Sequence, residues 1–414
     1  MKILIVEDEQ EKLRLIAQAV FSVPGISDDN VEYASDVVAA KRAIKRIRFD
    51  LIILDINLPP RPESRVAVGA GLDVLSFIKA SNQAKAPAYL FGLTAHDDAA
   101  AAAAKEFSSP LWKLVRFSYG EEEWREPLRE AIAYLQRANK PPFVSDGNTF
   151  HTDLGIFVAL EGEELASILA LDGGWTEIHV QHDHARYFSG NFTGRGGNVS
   201  VVVTAAPRMG MPAAAVAASK LIYSFRPRLV AIAGICAGVR GKTNIGDILV
   251  ADPCFDWGAG KWLRNRSSGS LQFHPAAYQW RLDEALRASI RALGDRPEVL
   301  SHIRESFKGR KPDLAPRVVI DAMASGASVL QASSTVDDVR DQHKNLVGIE
   351  MESYAVFTAA EYASEPRPKC VSIKAVCDFA DEEKSDSAHE YAAHNSACFL
   401  YEFAIRELVE ERLE

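Results

Sequence analysis

Residues 154–169 read LGIFVALEGEELASIL. The apolar run to Leu160 suits a buried strand, the glycine-containing acidic stretch after it suits a turn, and LASIL opens a helix. A step of this kind belongs to an α/β fold if others follow. Strand patterns recur at Val199–Thr204, Leu229–Ala233, Asp247–Ala251, Val318–Asp321 and Cys370–Val376. Helical patterns fall at Pro212–Phe225, Trp280–Leu293, Ser353–Tyr362 and Tyr391–Val409. The stretch from Asp256 to Pro275 is rich in Trp, Lys, Arg, Gly and Ser, and reads as a long loop.

A separate alternating series lies upstream. Its strands are Lys2–Val6, Val31–Ala34, Asp50–Leu54, Ala88–Leu93 and Leu111–Val115, with helical patterns at Glu11–Phe21 and Asp36–Ile47. Such alternation predicts a parallel sheet covered on both faces. The run Ala99–Ala104 is strong helix former, and Glu126–Ala138 closes the series. Between the two series, RANKPPFVSDGNTFH (137–151) is polar and carries two prolines and a glycine, as a linker does. The expected organisation is one domain over 1–125, a closing helix and linker over 126–151, and a second domain over 152–414.

Composition narrows the function. The chain has 414 residues, 47% hydrophobic and 25% charged, and a net charge of −9. That acidity argues against a general nucleic-acid binder. Five scattered cysteines with no CxxC pair suit reduced thiols in the cytoplasm. The N-terminus MKILIVEDEQ lacks the pattern of a signal peptide, and no apolar run reaches the length of a membrane helix.

Two groups of acids carry chemistry. Glu7 and Asp8 end the first strand of the upstream series and Asp55 ends the third, where the ligand crevice of an open parallel sheet lies. Three carboxylates there repel one another unless a hard cation such as Mg²⁺ joins them. Thr94 ends the fourth strand and Lys113 lies in the fifth. The set suits acceptance of a phosphoryl group by Asp55, with Thr94 and Lys113 binding its oxygens.

In the second domain Glu163, Glu352 and Asp378 fall at strand or helix junctions. Glu352 sits in VGIEMESYAVFTAAE (347–361), where a buried carboxylate is costly unless paired or protonated. Glycines Gly210, Gly234 and Gly238 follow other strands and let a ligand approach the backbone. Cleaving a purine–ribose bond passes through an oxocarbenium-like state. A carboxyl held protonated in apolar surroundings can deliver a proton to purine N7, and Asp378 suits that task. Glu352 suits the ribose hydroxyls, and Glu163 suits the base that activates water. Taken singly, Glu163 also fits a helix N-terminal charge and Asp378 a turn cap.

These motifs resemble two families. Residues 1–125 resemble the receiver domain of bacterial response regulators, a flavodoxin-like doubly wound fold, through Glu7, Asp8, Asp55, Thr94 and Lys113. The resemblance implies Mg²⁺ held by Glu7, Asp8, Asp55 and the backbone carbonyl of Asn57. Leu114 and Pro110 depart from the usual proline after the lysine and the aromatic residue before it. From 152 to about 410 the chain resembles the purine nucleoside phosphorylase and nucleosidase superfamily, an α/β fold with a mixed central sheet. GIFVALEGEEL matches the opening strand and water-activating glutamate, RMGMPAAA and AGICAGV the two glycine loops, IEMES the ribose-binding Met351 and Glu352, and VCDFAD the purine acid Asp378. Gly210, Gly234, Cys236 and Phe379 are further substrate-binding positions it implies, Val329 stands where an aromatic often packs on the base, and Arg208, beside the first glycine loop, is a candidate cation for a triphosphate. Ile235 replaces a family serine or threonine, and Ile232 stands near the place of the phosphorylases' phosphate-binding arginine. These aliphatic residues favour water over phosphate as nucleophile, with no cofactor in this domain.

The combination resembles the response-regulator effectors of two-component antiphage defence systems, whose nucleosidase domain cleaves adenine from ATP and related nucleotides. It implies a sensor histidine kinase as phosphodonor, an adenine nucleotide substrate, no nucleic-acid or membrane partner, and a homo-oligomer, dimer or hexamer. Lys261, Arg264 and Arg266 in KWLRNR, and Lys308, Arg310 and Lys311 in FKGRKP, offer cations for a triphosphate. Two alternatives stand beside this reading: a methylthioadenosine or adenosylhomocysteine nucleosidase, and a non-catalytic nucleoside sensor.

Overall fold

The computed structural model describes residues 1–94, 112–120, 122–138, 140–194, 197–264, 269–328, 330, 333–381 and 386–408. The chain divides into two compact units, Met1–Lys140 and Pro141–Glu414.

The first unit runs β1 (Ile3–Val6), α1 (Gln10–Phe21), β2 (Val31–Ala34), α2 (Val37–Arg46), β3 (Leu51–Asp55), α3 (Leu72–Ala80), β4 (Tyr89–Thr94), β5 (Trp112–Arg116) and α4 (Arg125–Ala138). Its sheet has the order β2-β1-β3-β4-β5 with every neighbouring pair parallel. Strands buried on both faces are near-continuous apolar runs, and ILIV and LIILD are such runs. Ile16 and Val20 of α1 and Leu128 and Ile132 of α4 cluster with Ile3, Ile5 and Ile53. Ile44 of α2 and Val74 and Leu75 of α3 cluster with Leu4, Val6 and Ile52. The unit therefore extends past the expected boundary at 125, because α4 buries Leu128, Ile132 and Leu135 within it. The alanine run 99–104 lies outside the described residues.

The second unit is built on a mixed ten-stranded sheet. In chain order its strands are β6 (Thr152–Val158), β7 (Thr176–Ile178), β8 (Tyr187–Gly194), β9 (Gly197–Ala205), β10 (Pro227–Gly238) and β11 (Ile248–Asp256). There follow β14 (Gln279–Trp280), β15 (Val318–Ser325), β16 (Gly348–Glu350) and β17 (Lys369–Asp378), while β12 (Gly260–Arg264) and β13 (Leu271–Pro275), between β11 and β14 in the chain, form a separate two-stranded sheet. The helices that matter here are α5 (Met211–Phe225), α6 (Glu284–Gly294), α7 (Pro297–Ser306), α8 (Ser333–Gln342), α9 (Ser353–Glu361) and α10 (His389–Phe403). At the centre β10 lies between β6 and β17, parallel to both. β11 runs antiparallel to β17, and β8 antiparallel to β9.

The region expected as a long loop, Asp256–Pro275, contains the antiparallel hairpin β12–β13, with Gly260 opposite Pro275. Both its strands are almost wholly exposed, so no buried face marks them in the sequence. The helix expected from Trp280 starts at Glu284, where the Asp283 carboxylate accepts the N–H groups of Ala285 and Leu286. Such a cap sets a helix start. No described helix is long and apolar enough to cross a membrane.

Candidate active site

In unit 2 the C-terminal ends of β6, β10, β16 and β17 face one pocket. Its wall includes Glu164, Glu350, Glu352, Asp378 and His389. A bulge between Cys236 and Ala237 breaks the β10–β17 register and sets Asp378 opposite Ala237. Bulges of this kind re-aim side chains beside sites, and Cys236, Ala237 and Asp378 all line the pocket.

The first acid is Glu164. Residues Glu161–Leu165 form a single π-turn, which spends one more residue than an α-turn. Through it the buried carboxylate of Glu164 folds back on the strand end. Oε2 accepts the N–H groups of Ala159 (2.6 Å) and Leu160 (2.9 Å), and Oε1 accepts that of Ile235 (2.8 Å). Gly234 makes room for it: a Cβ there would stand 2.0 Å from Oε1. The expected base, Glu163, is half-buried, absent from the lining, and engaged through its carbonyl, which accepts the Ser167 hydroxyl at 2.8 Å. The glutamate in the pocket is thus one residue later than expected.

Glu350 and Glu352 divide two tasks. Glu350 accepts the N–H groups of Glu352 (2.9 Å) and Ser353 (2.8 Å), and also the Ser325 hydroxyl. It fixes the start of α9. Glu352 Oε1 accepts the N–H of Gly210 at 2.8 Å. Gly210 has φ 104°, a left-handed value that favours glycine, so the first glycine loop aims its amide at the acid. Burial pushes the Glu352 carboxyl up to about 7; Lys374 opposes this and Glu350 adds to it.

Lys374, in the middle of β17, is fully buried. Its Nζ lies 3.8 Å from Glu164, 3.8 Å from Glu352 and 3.9 Å from Glu350. Burial alone would favour its neutral form, but Glu164, Glu352 and Glu350 outweigh it and raise its pKa. One ammonium under three carboxylates leaves excess negative charge, which the raised Glu352 relieves by holding a proton. No motif pointed to this lysine, although a lone charge in the apolar run VSIKAVC was visible.

Asp378 ends β17. Its Oδ1 accepts the N–H of Ala380 at 2.8 Å, and the Cys377 thiol lies 3.4 Å from Oδ2. Donor atoms of Cys377, Asp378 and His389 lie within 4.8 Å of one another. His389, at the first turn of α10, was not singled out from sequence. Of the expected substrate-binding residues, Cys236 and Met351 line the pocket, while Gly210 and Gly234 support its acids from behind. Arg208 is exposed and outside the lining, where Met209 stands instead. Phe379 is also outside it, with the Arg240 guanidinium 4.7 Å over its ring. Val329 and Arg266 lie outside the described residues. Lys261, Arg264, Lys308 and Arg310 are exposed, Lys311 donates to the Phe307 carbonyl, and none of these cations lines the pocket.

In unit 1 Glu7, Asp8 and Asp55 each offer an oxygen within 4.8 Å of the others. Three hard oxygen donors so grouped fit Mg²⁺. Asn57 is buried, and its side chain accepts the Gly69 N–H at 3.0 Å. Thr94 is buried at the end of β4. Lys113 is the misplaced residue. It is exposed and lies opposite Phe91, whereas Asp55 is level with Leu93. The lysine that reaches the acids is Lys12 of α1, 2.8 Å from both Glu7 and Asp55.

The Sinorhizobium fredii protein y4jS is 30% identical over 407 residues, 96% of this chain and 97% of its own. An Escherichia coli protein named ATP nucleosidase Cap17 is 23% identical over 214 residues. That stretch is 50% of this chain and 42% of Cap17, so the chain spans less than half of that relative. A solved structure of the Helicobacter pylori 5′-methylthioadenosine/S-adenosylhomocysteine nucleosidase has a TM-score of 0.48 at 21% identity, covering 64% of this chain and 100% of that one. Residues 153–410 match the Phosphorylase superfamily, and by that match over more than half of its length the chain belongs to this family.

Proposed function

We propose that unit 2 is a purine nucleosidase that hydrolyses the adenine–ribose bond of adenine nucleotides, ATP foremost, and that unit 1 is a receiver domain whose phosphorylation gates it. The observation that carries the first part is the convergence of Glu164, Glu352 and Asp378 on one pocket above Lys374. In this reading the C1′–N9 bond breaks with its electrons passing to the purine. Asp378, with His389 close by, places a proton on N7. Glu352 accepts a ribose hydroxyl through Oε2, the oxygen that does not hold Gly210, and strengthens its hold as positive charge grows on the sugar. Water adds to C1′ and gives its proton to Glu164. Lys374 keeps the carboxylates from repelling one another apart.

For unit 1, the support is the 2-1-3-4-5 parallel order, a doubly wound arrangement, with the acids at its carboxyl edge. Glu7, Asp8 and Asp55, with the Asn57 carbonyl, would hold Mg²⁺, which neutralises phosphoryl oxygens when bound. Asp55 takes the phosphoryl group from a sensor kinase. The gate gives an ATP-destroying enzyme an off state, as an antiphage effector needs. Five cysteines outside any disulfide suit a reducing cytoplasm, and assembly as a dimer or hexamer belongs to the same reading.

The likeness to Cap17 supports ATP. A specific observation favours a second reading: Met209, Ile235, Leu330, Ile349 and Met351 line the pocket, with no Arg or Lys among its described lining residues. An apolar wall suits the thioether of methylthioadenosine or adenosylhomocysteine. The test is chromatography of adenine released from ATP, methylthioadenosine and adenosylhomocysteine, with and without acetyl phosphate. Adenine from ATP that rises with acetyl phosphate is expected. Release from the thioethers alone transfers the assignment to the second reading, and no adenine from any of them overturns both.

A further inference from the structure

The acid cluster of unit 1 is closed by a lysine outside every motif described above. Lys12 is the third residue of α1 and only 3% exposed. Its Nζ stands 2.8 Å from Glu7 Oε2 and 2.8 Å from Asp55 Oδ2, with the Phe117 ring centre 5.3 Å away. A lysine is almost never so buried unless paired. Here it is paired with two of the three carboxylates whose oxygens are grouped for a cation. A divalent ion bound by Glu7, Asp8 and Asp55 would draw on two of the same carboxylates. It would also meet a positive charge at close range in surroundings where charges are poorly screened.

We infer that Lys12 is the resident counter-ion of this cluster and competes with a divalent cation for Glu7 and Asp55. The inference rests on the reading of unit 1 as a phosphoryl-accepting domain. The lysine stem is long and flexible, so the ammonium can leave Glu7 while staying within reach of Asp55. Its charge then faces the carboxylate on which the phosphoryl group is built. Lys113, exposed and level with Phe91, takes no part.

The experiment is Mg²⁺ titration calorimetry on the full chain, with Asp55 labelling by acetyl phosphate followed by mass spectrometry on the same samples. Lys12→Met is expected to tighten Mg²⁺ binding ~10-fold or more by removing the competing charge. Lys12→Gln, which keeps a donor for Glu7, is expected to do the same and serves if the methionine variant does not fold. Lys12→Arg stays near wild type, and Lys113→Ala changes nothing. Unchanged or weaker Mg²⁺ binding in both neutral variants overturns the inference; if Asp55 is still labelled, the receiver reading survives. Tighter binding without labelling upholds the competition between Lys12 and the cation and removes the receiver reading, and with it the place of Lys12 beside a phosphoryl group. A chain that binds neither Mg²⁺ nor a phosphoryl group in any variant sinks both.

Discussion

Glu352 Oε1 accepts the Gly210 N–H at 2.8 Å, although 142 residues separate the two in sequence. This bond joins the first glycine loop to the start of α9 and turns the other carboxylate oxygen toward the pocket and Lys374. Glu352→Gln keeps an oxygen for Gly210 but removes the charge that answers the developing sugar cation. The expected result is a ~10²–10³-fold fall in the rate of adenine release, the scale on which one electrostatic stabiliser is felt. Near-wild-type circular dichroism should accompany it. Equal adenine release from the variant and the wild type would remove Glu352 from the chemistry.

The two neighbouring acids Glu163 and Glu164 are separable by mutation. Glu164 is buried with both oxygens engaged by strand-end amides, whereas Glu163 is half-buried outside the pocket. Glu164→Gln should slow single-turnover adenine release by ~10²–10⁴, the usual range for a lost general base. Glu163→Gln should leave it within about twofold, as surface-type substitutions do. The reverse pattern would restore Glu163 as the base.

That pair also shows where the sequence stops being legible. The strand before it was plain, because Leu154–Val158 is an apolar run that ends in a turn. Which glutamate enters the pocket depended on the π-turn at Glu161–Leu165, and one extra residue in a turn leaves no mark on hydrophobic periodicity. Lys12 did leave a mark. It lies on one helical face with Ile16, Ala19 and Val20, all buried, so a charge on the apolar stripe was there to be seen. Lys113 misled because motif order alone singled it out, and the β4–β5 register sets it level with Phe91, short of the strand ends where the acids lie. The β12–β13 hairpin was hidden for another reason: exposed strands carry no burial alternation to detect.

Lys374 is a fully buried ammonium 3.8–3.9 Å from three carboxylates. Deleting one partner of a buried ionic cluster leaves uncompensated charge, at a cost of about 3–5 kcal/mol. Lys374→Met should therefore lower the thermal midpoint markedly at pH 7. At pH 5 the loss should shrink, because Glu352, raised by burial, is then protonated and less charge is left alone. Calorimetric melts at the two pH values check this, and an unchanged midpoint at pH 7 would show that the lysine does not hold the acids together.

The raised carboxyl of Glu352 links stability and activity to pH in opposite senses. Its folded value of about 7 lies above the ordinary 4.5 of a free glutamate. A group whose pKa rises on folding contributes stability that is complete below its unfolded value and fades as pH climbs through its folded value. The contribution should thus be whole below pH 4.5 and lost between pH 4.5 and about 7. Wild type should lose stability relative to Glu352→Gln across that window, since glutamine resembles the protonated acid throughout. Activity should move the other way, because only the ionised carboxylate can take a hydroxyl hydrogen and favour positive charge on the sugar. The kcat/KM for adenine release should rise toward neutrality with an apparent pKa near 7, a value shared with the neighbouring acids around Lys374. Parallel denaturant titrations and pH–rate profiles test both slopes. A flat difference in stability between wild type and Glu352→Gln from pH 4.5 to 7 would mean that this carboxyl is ionised in the folded pocket throughout.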